Sequence, residues 1–485
     1  MAFAARAALL CVLALTTLGA NRNDTRLTHL LYGMRNASGP LWMAHVVSVS
    51  RQSFNGEASV VSTDSAGVRF NLRHCTAEIC DGTYFDGDRL YSVNMNGTTL
   101  PQSLQAQPYL RGLRLIASLG FLSPSFLTAG GRMGDTGNAS VNGKTYRTFV
   151  VADATSYALR VFVDPATSLT RFVRELDGSH SFEYRNYHRV GGFMLPFDVL
   201  HDGQIFEHYD NRAVVSSAFV PPHGLAPAFA GKPQAIATDP DAVTPIADCS
   251  VGGVTVRCLI DTGNSGLSMS SELASRLGAP VVGNYRVRGL GGYKTQVVRA
   301  GPLRVGNAAF PDAYYVVLND LRRYGYDVVL GSDFFGATGV AIDGAAHEVR
   351  LGVTLGRAPI ALTLSFENSV PVVSVGLGTL DARLAVDTGD ESNVNLAYAF
   401  YTQHPGLFAI TSRRTVGGIG GGSVELLGEI PQVRIGDYRT GSQRIGTTQT
   451  LQGTASGHLG AAFLQQFVAQ FDYATAQLHL IPRRT

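Results

Sequence analysis

The C-terminal half of this chain is written twice. "LIDTGNSGLSMS" begins at Leu259 and "LAVDTGDESNVNL" at Leu384. "VRGLGG" at Val287 is answered by "VGGIGG" at Val416, "VVLGSDFF" at Val328 by "GHLGAAFL" at Gly457, and "VAIDGAAHEVRL" at Val340 by "AQFDYATAQLHL" at Ala469. Asp387 follows Asp261 by 126 residues, Val416 follows Val287 by 129, and Gly460 follows Gly331 by 129. Four matched blocks in one order at nearly one offset predict two homologous lobes. In each, an apolar strand runs into Asp-Thr-Gly, a short helix follows, and a Gly-rich hairpin comes next. An apolar-apolar-Gly element then leads into a final strand pair. The helices are expected over Glu272–Leu277, with Ser270 or Ser271 as N-cap, and over Ala397–Tyr401.

Upstream, alternation of period two in "RLYSV" at Arg89 and "LRVFV" at Leu159 predicts strands. Asx-Gly pairs at Asn96-Gly97, Asn142-Gly143, Asp177-Gly178 and Asp202-Gly203 favour hairpins. Tyr109–Leu122 reads as a helix. Between Phe219 and Pro245 lie Pro221, Pro222, Pro227, Pro233, Pro240 and Pro245, which remove backbone donors and mark a linker. The expected division is an export signal at 1–20, a β-rich domain at 21–218, a linker at 219–235, and lobes at 236–357 and 358–485. The 45% hydrophobic fraction of the 485 residues suffices for sizeable cores. A charged fraction of 16% with 55 glycines fits β-structure with many tight turns rather than a helical bundle. With a net charge of +2 and no run of Lys or Arg, nothing points to nucleic acid or an anionic membrane.

The chain opens with Arg6, an apolar run from Ala7 to Leu15, and small residues ending at Ala20. That layout predicts export to a periplasmic or extracellular location, and the run is too short to span a bilayer. Cys11 sits inside the run, not at its end as a lipidated cysteine would. Removing it leaves Cys75, Cys80, Cys249 and Cys258, whose two local pairs predict disulfides in an exported chain. Their spacing does not suit zinc, and the spacing of His180, His188, His201 and His208 suggests no compact metal site. No metal and no cofactor is expected.

The repeated frame resembles retropepsin-like aspartic peptidases, and two such frames in one chain resemble the bilobal pepsin arrangement. The resemblance covers about residues 236–482. It implies a mainly β protein: an N-terminal β-sheet domain followed by two homologous retropepsin-like β-barrel lobes of the acid-protease fold. It assigns the catalytic pair to Asp261 and Asp387. Gly263 and Gly389 let the two loops approach, Thr262 and Thr388 lock them across a pseudo-two-fold axis, and Asn264 can donate to the pair. Two adjoining carboxylates share one proton, so one acts as base on a water and the other polarises the scissile carbonyl. The hairpins containing Gly291, Gly292 and Tyr293, and Gly420 and Gly421, are candidate flaps over a peptide; the plainer reading makes them ordinary turns.

Two departures stand out. Asn264 and Asp390 follow the two glycines where the family carries a small residue, and Asn264 is the benign one, able to donate to the pair. Pointing inward, it would raise the pair's proton affinity; turned outward or capping the next turn, the expected case, it does no harm. Asp333 stands against Ala462 and reads as structural divergence. The region 21–218 resembles the LolA-like sheet domains of exported bacterial proteins, through "YFDGDRLYSVNMNG", "LRVFVDPATSLTRFVRELDG" and "NYHRVGGFMLPFDV". That resemblance implies a lipid or lipoprotein as partner; a pro-segment is the other reading of the region. The expectation is therefore a monomeric exported aspartic endopeptidase acting on peptide or protein. The alternative is an inactive exported carrier of apolar or lipidated ligands.

Overall fold

The computed structural model describes residues 25–54, 57–67, 69–102, 119–123, 125–128, 130–152, 158–176, 178–448 and 455–483. The signal read at 1–20 and most of the helix read at Tyr109–Leu122 lie outside them; Gly120–Leu122 forms a 3-10 turn. The protein is mainly β. It divides into two compact units, one from the described parts of 1–76, 82–90 and 104–221, the other from 77–81, 91–103 and 222–485.

The first unit is an antiparallel sheet. His45–Phe54 pairs with Glu57–Ala66 on one side and with Gln204–Val215 on the other. Phe193–His201, Ser181–Val190, Thr170–Glu175, Ala158–Val163, Lys144–Ala152 and Arg132–Val141 follow in that order. Two of the expected Asx-Gly hairpins have both turn residues at positive φ: Asn142 and Gly143 at 51° and 77°, Asp202 and Gly203 at 49° and 86°. Such turns match the twist of the strands they join. The helix Thr25–Ser38 buries Leu30 and Met34 against Phe121, Phe149, Val161 and Leu195.

In the second unit the two lobes carry the same sheet. The strands of the first are β1 (Ile246–Val251), β2 (Val254–Ile260), β3 (Leu267–Ser270), β4 (Val281–Arg288), β5 (Gly292–Ala300), β6 (Leu303–Val305), β7 (Ala308–Phe310), β8 (Ala313–Leu318) and β9 (Val328–Leu330). Those of the second are β10 (Val370–Leu377), β11 (Leu380–Asp387), β12 (Val394–Ala397), β13 (Ser412–Gly418), β14 (Gly421–Ile430), β15 (Val433–Ile435), β16 (Tyr438–Arg439), β17 (Gln443–Thr448) and β18 (Gly457–Gly460). Beyond an edge strand Ala228–Phe229 in the first sheet and a side strand Ser365–Glu367 on β10 in the second, the first runs β7-β6-β1-β2-β9-β3-β8-β5-β4 and the second β16-β15-β10-β11-β18-β12-β17-β14-β13. These are one topology. Neither sheet closes into the expected barrel. One edge of each is the Gly-rich hairpin, which pairs only inward, and the opposite edge ends on short strands.

A third sheet of six strands draws on both lobes: Ala235–Ala237, Glu348–Leu351, Val340–Asp343, Phe467–Asp472, Gln477–Pro482 and Ile360–Thr363. Val340 lies opposite Phe471 and Ile342 opposite Ala469, so the last blocks of the two repeats pair directly. One continuous core runs beneath, with Phe334, Phe335, Phe463, Phe467 and Phe471 almost wholly buried. Helix α1 (Ser271–Leu277) starts on Ser270, whose hydroxyl accepts from the Leu273 amide at 3.1 Å. It stops at Gly278, which adopts the left-handed conformation that L side chains resist. α2 (Ser332–Ala337) and α4 (Ala461–Leu464) follow β9 and β18, and α3 (Tyr398–Gln403) follows β12. Cys249 on β1 is bonded to Cys258 on β2, and Cys75 and Cys80 are also disulfide-bonded. Among the described residues no helix is long and apolar enough to cross a membrane.

Candidate active site

β2 and β11 deliver Asp261 and Asp387 to facing loops. Each strand is apolar because both of its faces are covered: Cys258, Leu259 and Ile260 are buried, as are Leu384, Ala385 and Val386. β9 runs parallel to β2 and antiparallel to β3; β18 does the same between β11 and β12. The chain thus threads beneath each Asp-Thr-Gly turn. The Asp261 amide donates to Leu330 O at 2.9 Å and the Gly331 amide to Gly266 O at 2.8 Å. In the other lobe the Gly460 amide donates to Asn393 O at 3.0 Å. The start of each following helix is tied to its loop in the same way, Ser332 N to Asn264 O at 2.9 Å and Ala461 N to Asp390 O at 2.7 Å.

The loops lock each other through their threonines. The Thr262 amide donates to Thr388 Oγ1 at 3.0 Å, and the Thr388 amide to Thr262 Oγ1 at 3.0 Å. Each hydroxyl then donates across to the opposite strand, Thr262 Oγ1 to Val386 O at 2.6 Å and Thr388 Oγ1 to Ile260 O at 2.8 Å. Gly263 and Gly389 must be glycine here. A Cβ on Gly263 would sit 2.4 Å from Asp387 Oδ1, and one on Gly389 would sit 2.7 Å from Asp261 Oδ1. The loop amides point at the carboxylates: Gly263 N to Asp261 Oδ1 at 2.7 Å, Gly389 N and Asp390 N to Asp387 Oδ1 at 3.0 and 3.1 Å.

The two carboxyls hydrogen-bond to each other but are not equivalent. Burial, and then the Asp387 charge, push Asp261 well above the usual carboxylate range. Burial acts on Asp387 as well, but His458 donates to it and lies beside it as a cation, holding it below its ordinary value. His458 Nδ1 is 3.2 Å from Asp387 Oδ2 and 3.6 Å from Asp390 Oδ2. Burial opposes the charge on this imidazole; the two carboxylates overcome it and push the group up to about 10.

One expectation needs correction and another needs a second half. Asn264 does not donate to the pair: its amide goes to Gly266 O at 2.9 Å and closes its own turn. Asp390 does cap the following turn, accepting from Ser392 N at 2.8 Å through Oδ1, but its other oxygen faces His458. The charge feared near the pair is therefore met by an imidazolium. In sequence His458 sits inside "GHLG", a block whose repeat signal is its Leu-Gly pair. The available signal was its partner at the same offset, Val329: an ionisable group replaces an apolar one beside Asp387.

Asp333 was read as divergence, and it has a specific role. Fully buried at the start of α2, it accepts from Asn94 Nδ2, Asn96 Nδ2 and Thr98 Oγ1, each at 2.6 Å. The run "NMNGT" at Asn94 was legible only as a turn. Burial nonetheless lifts the Asp333 carboxyl above its ordinary value against those donors.

The hairpins β4–β5 and β13–β14 meet at their tips. The Gly291 amide donates to Ile419 O at 3.4 Å, and Tyr324 Oη donates to Gly418 O at 3.2 Å. Gly292 and Gly421 open the returning strands, and Gly420 adopts a φ of 80°. Tyr293 packs on a cluster with Val287, Val297 and Ile419.

Among the described residues two groups bring metal-ligand atoms within 4.8 Å of one another: His180, His201 and Asp202 in the first unit, and Asp387, Asp390 and His458 here. In the first, where the sequence spacing suggests no compact site, a hairpin register sets His180 Nδ1 3.0 Å from His201 Nε2. In the second, the protonated imidazole nitrogen donates to Asp387, faces Asp390 at 3.6 Å and has no lone pair for a cation.

Residues 247–334 match the family model for aspartyl proteases, which supports an aspartic protease domain over the first lobe. The matched stretch contains Asp261-Thr262-Gly263, Leu330-Gly331 and Asp333. No curated protein matches the chain.

Proposed function

We propose that the two lobes form one aspartic endopeptidase whose dyad is Asp261 and Asp387, exported from the cell and acting on peptide or protein. The observation that carries this is the mutual threonine lock, which holds two Asp-Thr-Gly loops so close that neither glycine has room for a Cβ. Asp387, ionised, takes a proton from a water held between the carboxyls. Asp261, protonated, donates to the carbonyl oxygen of the scissile bond. The water oxygen adds to the carbonyl carbon, the proton taken by Asp387 passes to the departing nitrogen, and the C–N bond breaks. The pair titrates as a unit, and one proton shared between them is the working state. The Gly-rich tips close over the bound chain and exclude water. Sheets of identical strand order support descent of the lobes from one duplicated unit. The apolar run at 7–15 and the disulfides support export. For the N-terminal unit, the resemblance of its sequence to LolA-like domains is what supports a role in holding an apolar ligand.

The test is cleavage of an unstructured protein substrate across acid to neutral pH by purified wild type, Asp261→Asn and Asp387→Asn. Each substitution removes an acid–base partner and is expected to lower kcat/KM by about 10²–10⁴-fold or more with the far-UV spectrum unchanged. Wild-type cleavage by either variant would sink the reading.

A further inference from the structure

The two halves of the dyad are built alike down to the threonine lock, yet they differ at one neighbour. Beside Asp261 the threading strand β9 carries Val329, apolar and buried. Beside Asp387 the equivalent strand β18 carries His458, whose Nδ1 lies 3.2 Å from Asp387 Oδ2 and 3.6 Å from Asp390 Oδ2. Asp390 is itself fixed, because its other oxygen accepts from Ser392 N at 2.8 Å. The imidazole thus sits between two anchored carboxylates in a half-buried site.

We propose that His458 is the positioning residue of the dyad: held by Asp390, it pairs with Asp387 and assigns that carboxylate the role of base, leaving Asp261 to carry the proton. This rests on the reading of Asp261 and Asp387 as a peptidase pair. In a symmetric pair the proton is shared without preference. Among the described residues a cation stands on one side only, so the singly protonated form has one dominant arrangement, with no reorganisation when substrate binds. A cation beside Asp387 also keeps that carboxylate ionised to lower pH, so the working window extends at its acid end, while burial and the Asp387 charge keep the proton on Asp261. The titratable groups around this cluster are Asp261, Asp387 and Asp390, with Tyr326, Tyr473 and Glu391 next out. Burial, followed by the charges of Asp261 and Asp387, raises both tyrosines, so they stay neutral through this range.

Two readouts test it. The first is the imidazole NMR titration of His458 in the full-length protein, assigned by its loss in His458→Gln. A ring still charged well above pH 7, and shifted down by a unit or more in Asp390→Asn, is expected; a ring neutral at pH 7 overturns the proposal. The second is kcat/KM against pH for wild type and His458→Gln. The acid limb is expected to move up by about one unit or more, a change of the size one lost charge partner gives. His458→Lys is expected to restore part of the shift, which a packing role would not allow. An unmoved acid limb in a folded His458→Gln overturns the proposal. If that variant does not fold, His458→Asn takes its place in both the assignment and the pH profile, and an unmoved acid limb in Asp390→Asn overturns the proposal as well. A wild type that cleaves nothing would defeat the peptidase reading, and the NMR arm would still decide whether His458 is the fixed cation of Asp387.

Discussion

Thr262 and Thr388 carry more of this site than their size suggests. Each is almost wholly buried, and each hydroxyl both accepts from the opposite loop amide and donates to a strand carbonyl. Thr262→Val keeps the shape and removes the oxygen. It leaves the Thr388 amide and the Val386 carbonyl without their partners in a dry site, where an orphaned polar group costs about 1–3 kcal/mol. The variant is expected to lose that much stability in chemical denaturation, and to lose activity beyond it because the carboxyls drift apart. Thr262→Ser, which keeps the hydroxyl, should recover most of both. If valine proved as stable and active as wild type, the lock would be incidental to the dyad.

At the scale of elements, the proposed peptidase activity gives the paired hairpins β4–β5 and β13–β14 a motion to perform. Their tips touch through backbone because there is no room for anything else: a Cβ on Gly291 would fall 2.0 Å from Gly420 O. Gly291→Ala should therefore hold the tips apart while leaving the lobes' cores untouched. We expect kcat/KM to fall about tenfold with the melting temperature unchanged, the pattern of a closing element rather than a folding one. An unaltered kcat/KM would return these hairpins to the status of plain turns. Much of this level was readable in advance. Alternation and Asx-Gly pairs mark strands and hairpins, and the repeated blocks mark the two Asp-Thr-Gly loops, their threonines and the threading strands, because each feature is local in sequence. What escaped reading depends on contacts between distant residues. Nothing near "GHLG" announces that His458 faces Asp387, since parallel pairing of β11 with β18 decides it. Whether the lobe sheets close depends on edge strands whose partners no local pattern names. The Asn264 amide was open to two acceptors, and loop geometry chose its own turn.

The whole molecule poses the question of what the upstream half is for, and one contact bears on it. Residues 77–81 and 91–103 lie far before the lobes in sequence but belong to the lobes' compact unit. Asn94, Asn96 and Thr98 supply the donors on Asp333, and the Asn96 side chain also brackets Tyr314, accepting from its amide at 2.8 Å and donating to its carbonyl at 3.0 Å. Ile79 and Met95 pack on the apolar cluster that includes Val297, Val316 and Leu321. A chain beginning at Lys232 would keep both lobes and lose all of this. Asp333 would stay in a dry site with its three side-chain donors gone, and the cluster would open to water. A buried carboxyl stripped of donors costs at least a few kcal/mol, a large share of a domain's net stability. A releasable pro-segment makes the opposite demand, that the lobes stand alone and work better without it. The measurement is the melting temperature and cleavage rate of the Lys232 truncation beside the full chain. We expect a lower melting temperature or aggregation, with cleavage lost, and full-length Asp333→Leu to be destabilised in the same direction, since the cut and the substitution break the same contact. A truncation that melts with the full chain and cleaves faster would make residues 91–103 a detachable plug and the upstream half an inhibitor.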